Sequence, residues 1–243
     1  MQLHLNNPKS RILVTAGSNS VCDTIAMRLC EITKNERFVN NLCQSTEFLL
    51  RIYSKSAVRK VSFSKLPKEI LKRSNLVRSQ QKYPAVEDIH KHGIIICTLC
   101  TVAKLVTGDV GRGQFFTHIF IDEAASITEP ETLLGIVGIM GNSSACRLIL
   151  SGDHKQLGPV LQSGQAASMG LQRSLMERLM NQNTCYALDE NGNYDHTLQS
   201  RLRRNFRSHP EIVRLYNTLY YNKELIAGAE LGKNIKLNKI VIS

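Results

Sequence analysis

The feature that most constrains the fold of this chain is a pair of apolar segments that each end in acidic residues. IFIDEAASITEPETL occupies residues 119–133, and LILSGDHKQLGPV occupies residues 148–160. Apolar runs of strand length, separated by a helix-length segment, predict neighbouring strands of a parallel sheet. Asp122, Glu123 and Asp153 follow these runs, so we expect them at the carboxyl ends of the strands, where open α/β sheets bind ligands.

The two neighbouring acids suit two different chemical roles. An aspartate such as Asp122 can hold Mg²⁺ through its water shell, and a glutamate such as Glu123 can orient or deprotonate a water that attacks a γ-phosphate. Gln156 follows the second strand, and its amide can donate to phosphate and accept from water. The acid pair alone also fits two solvated acids that open a helix N-terminus. Joined to GDHKQLGP, it favours a nucleoside-triphosphate site.

Three segments in this order carry a family resemblance. DEAA at residues 122–125, GDHKQLGP at 152–159 and NFRSHP at 205–210 resemble the Walker B, third and fourth motifs of the superfamily 1 RNA and DNA helicases. Within that superfamily, EPETL, QLGPVLQS, GLQRSLMERL and LYYNKEL look like the Armitage-type branch of small-RNA silencing more than the nonsense-decay branch. The resemblance runs from about Asn7 to about Ala229.

The resemblance implies an ATP-dependent RNA helicase that uses ATP and Mg²⁺ and translocates along single-stranded RNA in piRNA or related silencing. Its implied partners are single-stranded RNA and proteins of the silencing complexes. Asp122 would bind the metal, and Asp122, Glu123, Gln156 and Arg207 would be the catalytic residues. The ATP contacts would be Asp122, Gly152, Asp153, Gln156 and Arg207, with Arg207 stabilising charge on the transferring phosphate. The cluster Arg201, Arg203, Arg204 and Arg207 could also bind phosphates nonspecifically.

RILVTAGSNSVCDTIAMRL, residues 11–29, predicts a strand, a turn and a helix. Ser18 and Asn19 match the family's first motif that grips the nucleic-acid backbone, which usually has proline where this chain has Gly17. They are predicted phosphate contacts, and the alternative is an ordinary helix cap. GIIICTLCTVAKLV, residues 93–106, predicts a buried strand and a helix, and the resemblance makes Thr98 a further RNA contact.

The segment from Arg51 to Lys82 is strongly basic, with Glu69 as its one acid. Related helicases insert a small subdomain here over the nucleic-acid channel, which implies that the segment holds the RNA backbone. The alternative is a solvated helical insertion. The residues predicted to contact RNA are Arg59, Lys60, Lys72 and Arg73.

No GxxxxGKT or GxxxxGKS loop occurs in the 243 residues, although such a loop cradles the β- and γ-phosphates. The expectation is therefore an internal fragment or truncated product whose isolated chain has no ATPase activity. The predicted organisation is a first RecA-like motor domain at 1–183 with a basic insertion at about 45–92. A linker follows at 184–197, and the beginning of a second RecA-like domain at 198–243.

The predicted fold class is α/β, a RecA-like parallel sheet flanked by helices, with strands near 11–15, 94–98, 117–121 and 147–151. A net charge of +11 and a pI near 9.4 favour a polyanionic partner. Seven scattered cysteines, and no apolar run of membrane length, predict a cytoplasmic protein with reduced thiols, and ribonucleoprotein granules are a further expected location. Two alternatives stay open: a noncatalytic RNA- or protein-binding fragment, and a DNA helicase of the same superfamily.

Overall fold

The structure is a computed structural model that describes residues 1–35, 46–60, 66–77, 80–110, 115–140 and 145–228. Contacts divide the chain into two compact units, Met1–Gln182 and Asn183–Ser243. The second unit is described as far as residue 228, and the segment predicted as a linker falls within it. Each unit is described by itself below.

A parallel sheet organises the first unit. In chain order its strands and those of a small hairpin are β1 Ile12–Ala16, β2 Leu49–Arg51, β3 Leu76–Val77, β4 Gln80–Gln81, β5 Ile94–Thr98, β6 His118–Asp122 and β7 Arg147–Leu150. Within the described ranges, five of these strands form one sheet in the order β2-β5-β1-β6-β7, and every neighbouring pair is parallel. β3 and β4 pair with each other in antiparallel fashion.

Helices connect these strands, as parallel neighbours require. They are α1 Gln2–Asn6, α2 Asn19–Asn35, α3 Lys55–Lys60, α4 Lys68–Lys72, α5 Val86–His90, α6 Leu99–Thr107, α7 Glu129–Met140, α8 Gly164–Ala166 and α9 Leu175–Gln182. Turns of 3-10 type occupy Thr46–Phe48 and Ala124–Ser126, and a π-type turn occupies Ala167–Leu171. None of the helices in the described part of the chain has the length and apolar character needed to cross a bilayer.

Both faces of the sheet are buried, which explains why its central strands read as continuous apolar runs. Alternate strand residues join two different clusters. Ile12, Ala16, Ile94 and Ile96 pack with Cys22 and Ala26 of α2 on one face. The opposite face has Leu13, Ile95, Ile119 and Ile121 against α6 and α7. The predicted RecA-like α/β class is confirmed.

Two glycines allow α6 and α7 to approach closely on the second face. A Cβ at position 135 would lie 2.6 Å from Leu99 Cδ2, and a Cβ at position 138 would lie 2.5 Å from Val106 Cγ2. A side chain at position 138 would therefore press on Val106 up to its Cβ and push the helices apart, whereas one at position 135 would have to displace the end of the Leu99 side chain. The close pair of helices supports β6, whose acids follow directly at its end.

The second unit contains a small parallel pair of strands joined by a helix. β8 Arg204–Asn205 pairs with β9 Ile226–Ala227, and α10 Pro210–Tyr220 lies between them in the chain. The side chain of Asn205 organises the turn before α10, because its Oδ1 accepts from Arg207 N at 2.9 Å and from Ser208 N at 2.9 Å. Its Nδ2 donates to Tyr216 Oη at 2.9 Å, which ties the turn to the helix.

Candidate functional site

Several predicted site residues of the first unit lie at one edge of the sheet. Ala16 at the end of β1 is in register with Thr98 on β5 and with Asp122 on β6. Ser18 and Asn19 follow β1 directly, and the GDHKQ turn follows β7. Parallel strands thus bring segments that are distant in sequence to a common carboxyl edge, as the acid-ended strand pattern predicts.

The acid pair lies in an unusual backbone turn. Glu123 has φ 54° and ψ 36°, the left-handed conformation that non-glycine residues rarely adopt. Ala124 N donates to Ser151 O at 2.8 Å and Ser126 N donates to Glu123 O at 3.0 Å, so hydrogen bonds on both sides hold the turn. Strain of this kind persists where surrounding structure over-determines it, and it is concentrated at functional sites.

The two acids differ in environment. Asp122 is half-buried and Glu123 is exposed, and neither carboxylate has a hydrogen bond or ion pair among the described residues. Burial raises the pKa of the Cys22 thiol to about 11, and the Asp122 carboxylate adds to that rise. Since Cys22 belongs to the first turns of α2, Asp122 lies close to the segment that carries Ser18 and Asn19.

The turn after β7 packs tightly against the acid turn. A Cβ at position 152 would lie 3.1 Å from both Ala124 N and Ala125 N, so Gly152 permits the close approach of the two turns. Asp153 accepts from Gln156 Nε2 at 2.9 Å through Oδ2 and from Lys155 N at 3.0 Å through Oδ1. The Gln156 amide is therefore held by Asp153, with its carbonyl oxygen left to accept from a donor.

The residues predicted to contact RNA behave differently from one another. Ser18 caps α2, because its Oγ accepts from Val21 N at 3.3 Å, so the helix-cap alternative holds for its acceptor oxygen. Thr98 reaches the same edge, but it is 8% exposed and its hydroxyl pairs with Thr101 Oγ1 at 3.0 Å. Asn19 is held by Arg51 through a 2.8 Å hydrogen bond from Nη2 to its Oδ1.

The basic segment contains α3, α4 and the β3-β4 pair, so it is not purely helical. Lys72 is exposed at the end of α4. Arg73 is half-buried, and its Nε is buried without a hydrogen-bond partner. The side chains of Arg59 and Lys60 lie outside the described residues.

Arg51 is the residue of this segment that fits a phosphate-binding surface least well. The guanidinium is fully buried at the end of β2, and its Nε donates to Asp23 Oδ1 at 2.8 Å. Sequence reasoning missed Asp23 and Tyr53, which surround it. The available signals were the spacing of Asn19 and Asp23 on one helix face and the position of Arg51 inside the apolar run LLRIY.

In the second unit, Arg207 is exposed in the turn before α10. His209 Nδ1 accepts from Glu211 N at 3.3 Å and caps that helix. Another arginine of the same cluster, Arg201, is engaged: its Nη1 donates to Glu224 Oε1 at 3.1 Å, and its guanidinium lies 4.4 Å from the Tyr194 ring centroid.

Asp122 fits a Mg²⁺ site that is completed mainly by phosphate and water. Its unpaired carboxylate sits at a strand end, and Mg²⁺ commonly binds through one or two carboxylates plus substrate phosphates. Among the described residues, no cluster of three or more His, Cys, Asp or Glu side chains is arranged to hold a metal. An all-protein metal cage is therefore not part of the described structure.

The five-stranded parallel sheet flanked by helices places the first unit in the class of RecA-like α/β domains. Residues 51–164 match the family model described as an AAA domain. The chain is 38% identical over 229 residues to "Putative helicase mov-10-B.1" of Danio rerio, covering 94% of this chain and 21% of the relative. The chain belongs to the superfamily 1 helicases, in the Armitage-like branch.

Two further relatives represent that branch. "RNA helicase Mov10l1" of Mus musculus is 33% identical over 234 residues, with 93% of this chain and 17% of the relative covered. "Probable RNA helicase armi" of Drosophila melanogaster is 32% identical over 240 residues, with 93% and 19% covered. The chain spans about a fifth of the length of the relatives it matches. The resemblance read from the motifs is confirmed.

Proposed function

We propose that this chain supplies the metal-binding, water-activating and RNA-contacting parts of an ATP-dependent motor that translocates on single-stranded RNA. The observation that carries the proposal is the strained acid turn at the end of β6. It presents one half-buried and one exposed carboxylate at the edge where β1 leads into the Ser18 and Asn19 segment. A site for phosphate chemistry thus adjoins a segment suited to a nucleic-acid backbone.

Each residue of the proposed ATP site has a distinct role. Asp122 would hold Mg²⁺, and Glu123 would orient the attacking water and accept its proton. Gly152 and Asp153 shape the neighbouring turn, and Gln156 uses its free carbonyl oxygen to position the water. Mg²⁺, when bound, neutralises negative charge on the phosphate oxygens.

Arg207 provides the contribution of the second unit. Its exposed guanidinium is a planar donor that suits a phosphate carrying increasing negative charge. The proposed organisation is a first motor domain at 1–183, a linker at 184–197 and the beginning of a second RecA-like domain at 198–243. Alternation between the two domains on the strand would couple hydrolysis to movement.

The proposed RNA surface combines the edge residues with the basic segment. Ser18, Asn19 and Thr98 supply contacts at the strand ends, and Lys72 and Arg73 supply positive charge near the backbone of the RNA. Arg59 and Lys60 belong to the same proposal. We further propose that the RNA belongs to piRNA or related silencing, with proteins of the silencing complexes as partners, because two of the similar proteins are the RNA helicases Mov10l1 and armi.

The test uses a protein of the relatives' full length that contains these residues. Glu123→Gln is isosteric, so we expect ATP binding to persist while RNA-stimulated phosphate release falls about 10²- to 10⁴-fold. Asp122→Ala should abolish Mg²⁺-dependent turnover. Glu31→Gln, an exposed acid in the middle of α2, is the matched control.

Three outcomes separate the candidates. Near-wild-type phosphate release by Glu123→Gln would contradict the assigned role of the acid. RNA binding without any ATP hydrolysis by this full-length protein would favour the noncatalytic alternative. Equal or greater stimulation by single-stranded DNA than by RNA would favour a DNA helicase.

A further inference from the structure

Arg51 is a buried cation whose donors are all directed at protein acceptors. Nε donates to Asp23 Oδ1 at 2.8 Å, Nη1 donates to Ile52 O at 2.8 Å, and Nη2 donates to Asn19 Oδ1 at 2.8 Å. The guanidinium also stacks over the Tyr53 ring, with Cζ 4.1 Å from the centroid. Arg51 therefore has no donor group turned toward solvent, although it opens the most basic stretch of the chain.

Asp23 and Tyr53 fix the guanidinium in one orientation. Tyr53 Oη donates to Asp23 Oδ1 at 2.7 Å, so the same carboxylate oxygen accepts from both residues. Burial raises the pKa of Tyr53, which keeps its hydroxyl a donor at neutral pH. Asp23 follows Asn19 by four residues, so both lie on the face of α2 that turns toward β2.

This arrangement determines which group Asn19 presents. A guanidinium has only donors, so the Asn19 atom that faces Arg51 is the oxygen. The Asn19 amide nitrogen consequently points away from Arg51, with both of its hydrogens available to an acceptor. A phosphate oxygen is such an acceptor, whereas the opposite rotamer would present a carbonyl oxygen that repels it.

A structural role alone explains this network poorly. Buried ion pairs contribute little net stability relative to apolar residues of similar volume, because desolvation opposes the Coulomb attraction. Leu49 and Ala57 are buried apolar residues of the cluster that also contains Cys22 and Ala26 of α2, so the surroundings of Arg51 on this face of the sheet are largely apolar. What an apolar residue could not do is fix the amide of Asn19.

We infer that Arg51 is a positioning residue for RNA binding, which acts by holding Asn19 with its amide donors turned toward the phosphate backbone. This inference rests on the proposed RNA-binding function and adds to it. Arg51 itself does not touch the RNA. A change at Arg51 is therefore predicted to alter the affinity for RNA only by altering the orientation of Asn19.

A double-mutant cycle tests this directly in the full chain. The affinity for a fluorescent oligouridine is measured by anisotropy over a range of salt concentrations for wild type, Arg51→Lys, Asn19→Ala and the double variant. Lysine keeps the charge but lacks the fork that reaches Asp23 and Asn19 together. We expect each single variant to bind about tenfold more weakly, as for one lost hydrogen bond to a charged group. The double variant should bind no more weakly than Asn19→Ala.

The salt dependence provides a second readout, which separates loss of a neutral hydrogen bond from loss of a cationic contact. The slope of log affinity against log salt counts the phosphates that cationic side chains neutralise, at about 0.7 for each contact on a single strand. The Asn19 amide is neutral and Arg51 does not touch the RNA, so the slope should be unchanged in all three variants. Losses that add in the double variant, or a slope that falls by about 0.7 in either single variant, would overturn the inference.

The variant Asn19→Asp distinguishes loss of the amide donors from loss of folding stability. The aspartate is isosteric and keeps an acceptor for Arg51, but it has no amide hydrogens. Thermal unfolding should be unchanged or shifted upward while RNA binding weakens at least tenfold. Asn7→Asp, at an exposed position before β1, adds the same charge and should leave binding within about twofold.

Equal losses in the two aspartate variants would overturn the inference even if Arg51→Lys failed to fold. Absence of RNA binding by wild type would instead refute the proposed function, and the inference with it. If the wild type binds RNA in a salt-dependent manner and the variants bind with the same affinity, the role of Arg51 is refuted but the proposed function is not. The two failures are thus distinguishable.

Discussion

The energetic cost of the left-handed conformation of Glu123 can be measured by comparing the stabilities of two variants at this position. Replacing Glu123 with alanine keeps a Cβ in the strained position, whereas replacing it with glycine removes it. Both variants lose the carboxylate, so the difference between them isolates the backbone. The structure predicts that Glu123→Gly is more stable than Glu123→Ala.

The expected magnitude follows from two opposing effects. A residue with a Cβ costs about 1–2 kcal/mol in the left-handed region, which glycine does not incur. Glycine loses about 0.5–1 kcal/mol more than alanine through backbone entropy on folding. The net advantage of glycine at φ 54° is therefore on the order of 0.5–1 kcal/mol. For a domain of this size, that corresponds to a rise of about 1–4 °C in Tm.

Denaturant and thermal unfolding of the full chain provide the assay. Glu31 in α2 is the matched control, because it is exposed in the interior of a regular helix. There the order should reverse, with Glu31→Gly less stable than Glu31→Ala by about 1 kcal/mol. If glycine were also the less stable substitution at Glu123, the backbone there would be ordinary and the argument from strain would be wrong.

Two further predictions concern surface charge. Replacing Lys72 and Arg73 with glutamine should weaken RNA binding and reduce its salt slope by about 0.7 for each lost phosphate contact, and an unchanged slope would assign α4 to a solvated face. The Arg178 hydrogen bonds, at 2.8 and 2.7 Å, hold the pKa of Glu129 below its ordinary value of 4.5. The stability that Arg178→Met removes should therefore be present at neutral pH and vanish as the pH falls through the lowered pKa. A pH-independent difference in urea unfolding would contradict this assignment.

The sheet was largely predictable because its strands are buried on both faces. The expected strands near residues 94–98, 117–121 and 147–151 correspond to Ile94–Thr98, His118–Asp122 and Arg147–Leu150. Their apolar runs carry the signal by themselves. β2 was not predicted, since Leu49–Arg51 is short and its arginine masks the apolar pattern.

The environments of the site residues were less predictable, because they depend on partners that are distant in sequence. The positive charge of Arg51 indicated a base that faces solvent. Instead, Arg51 is buried and forms an ion pair with Asp23, which lies 28 residues away in the sequence. Thr98 ends a strand as expected, yet Thr101 turns its hydroxyl inward. The left-handed φ of Glu123 could not be predicted from the local sequence, because the turn is held in part by the hydrogen bond from Ala124 N to Ser151 O, which is distant in sequence.

β7 is the last strand of the sheet, and that position has a geometric consequence. Within the described ranges it pairs with β6 alone, so one row of its amide and carbonyl groups points outward without a ladder partner. Such an edge is a template on which another strand can form main-chain hydrogen bonds. A strand added there in parallel would end level with Leu150. The loop leaving it would open beside Gly152 and the acid turn, so a strand at this unpaired edge would bring its loop to the proposed phosphate site.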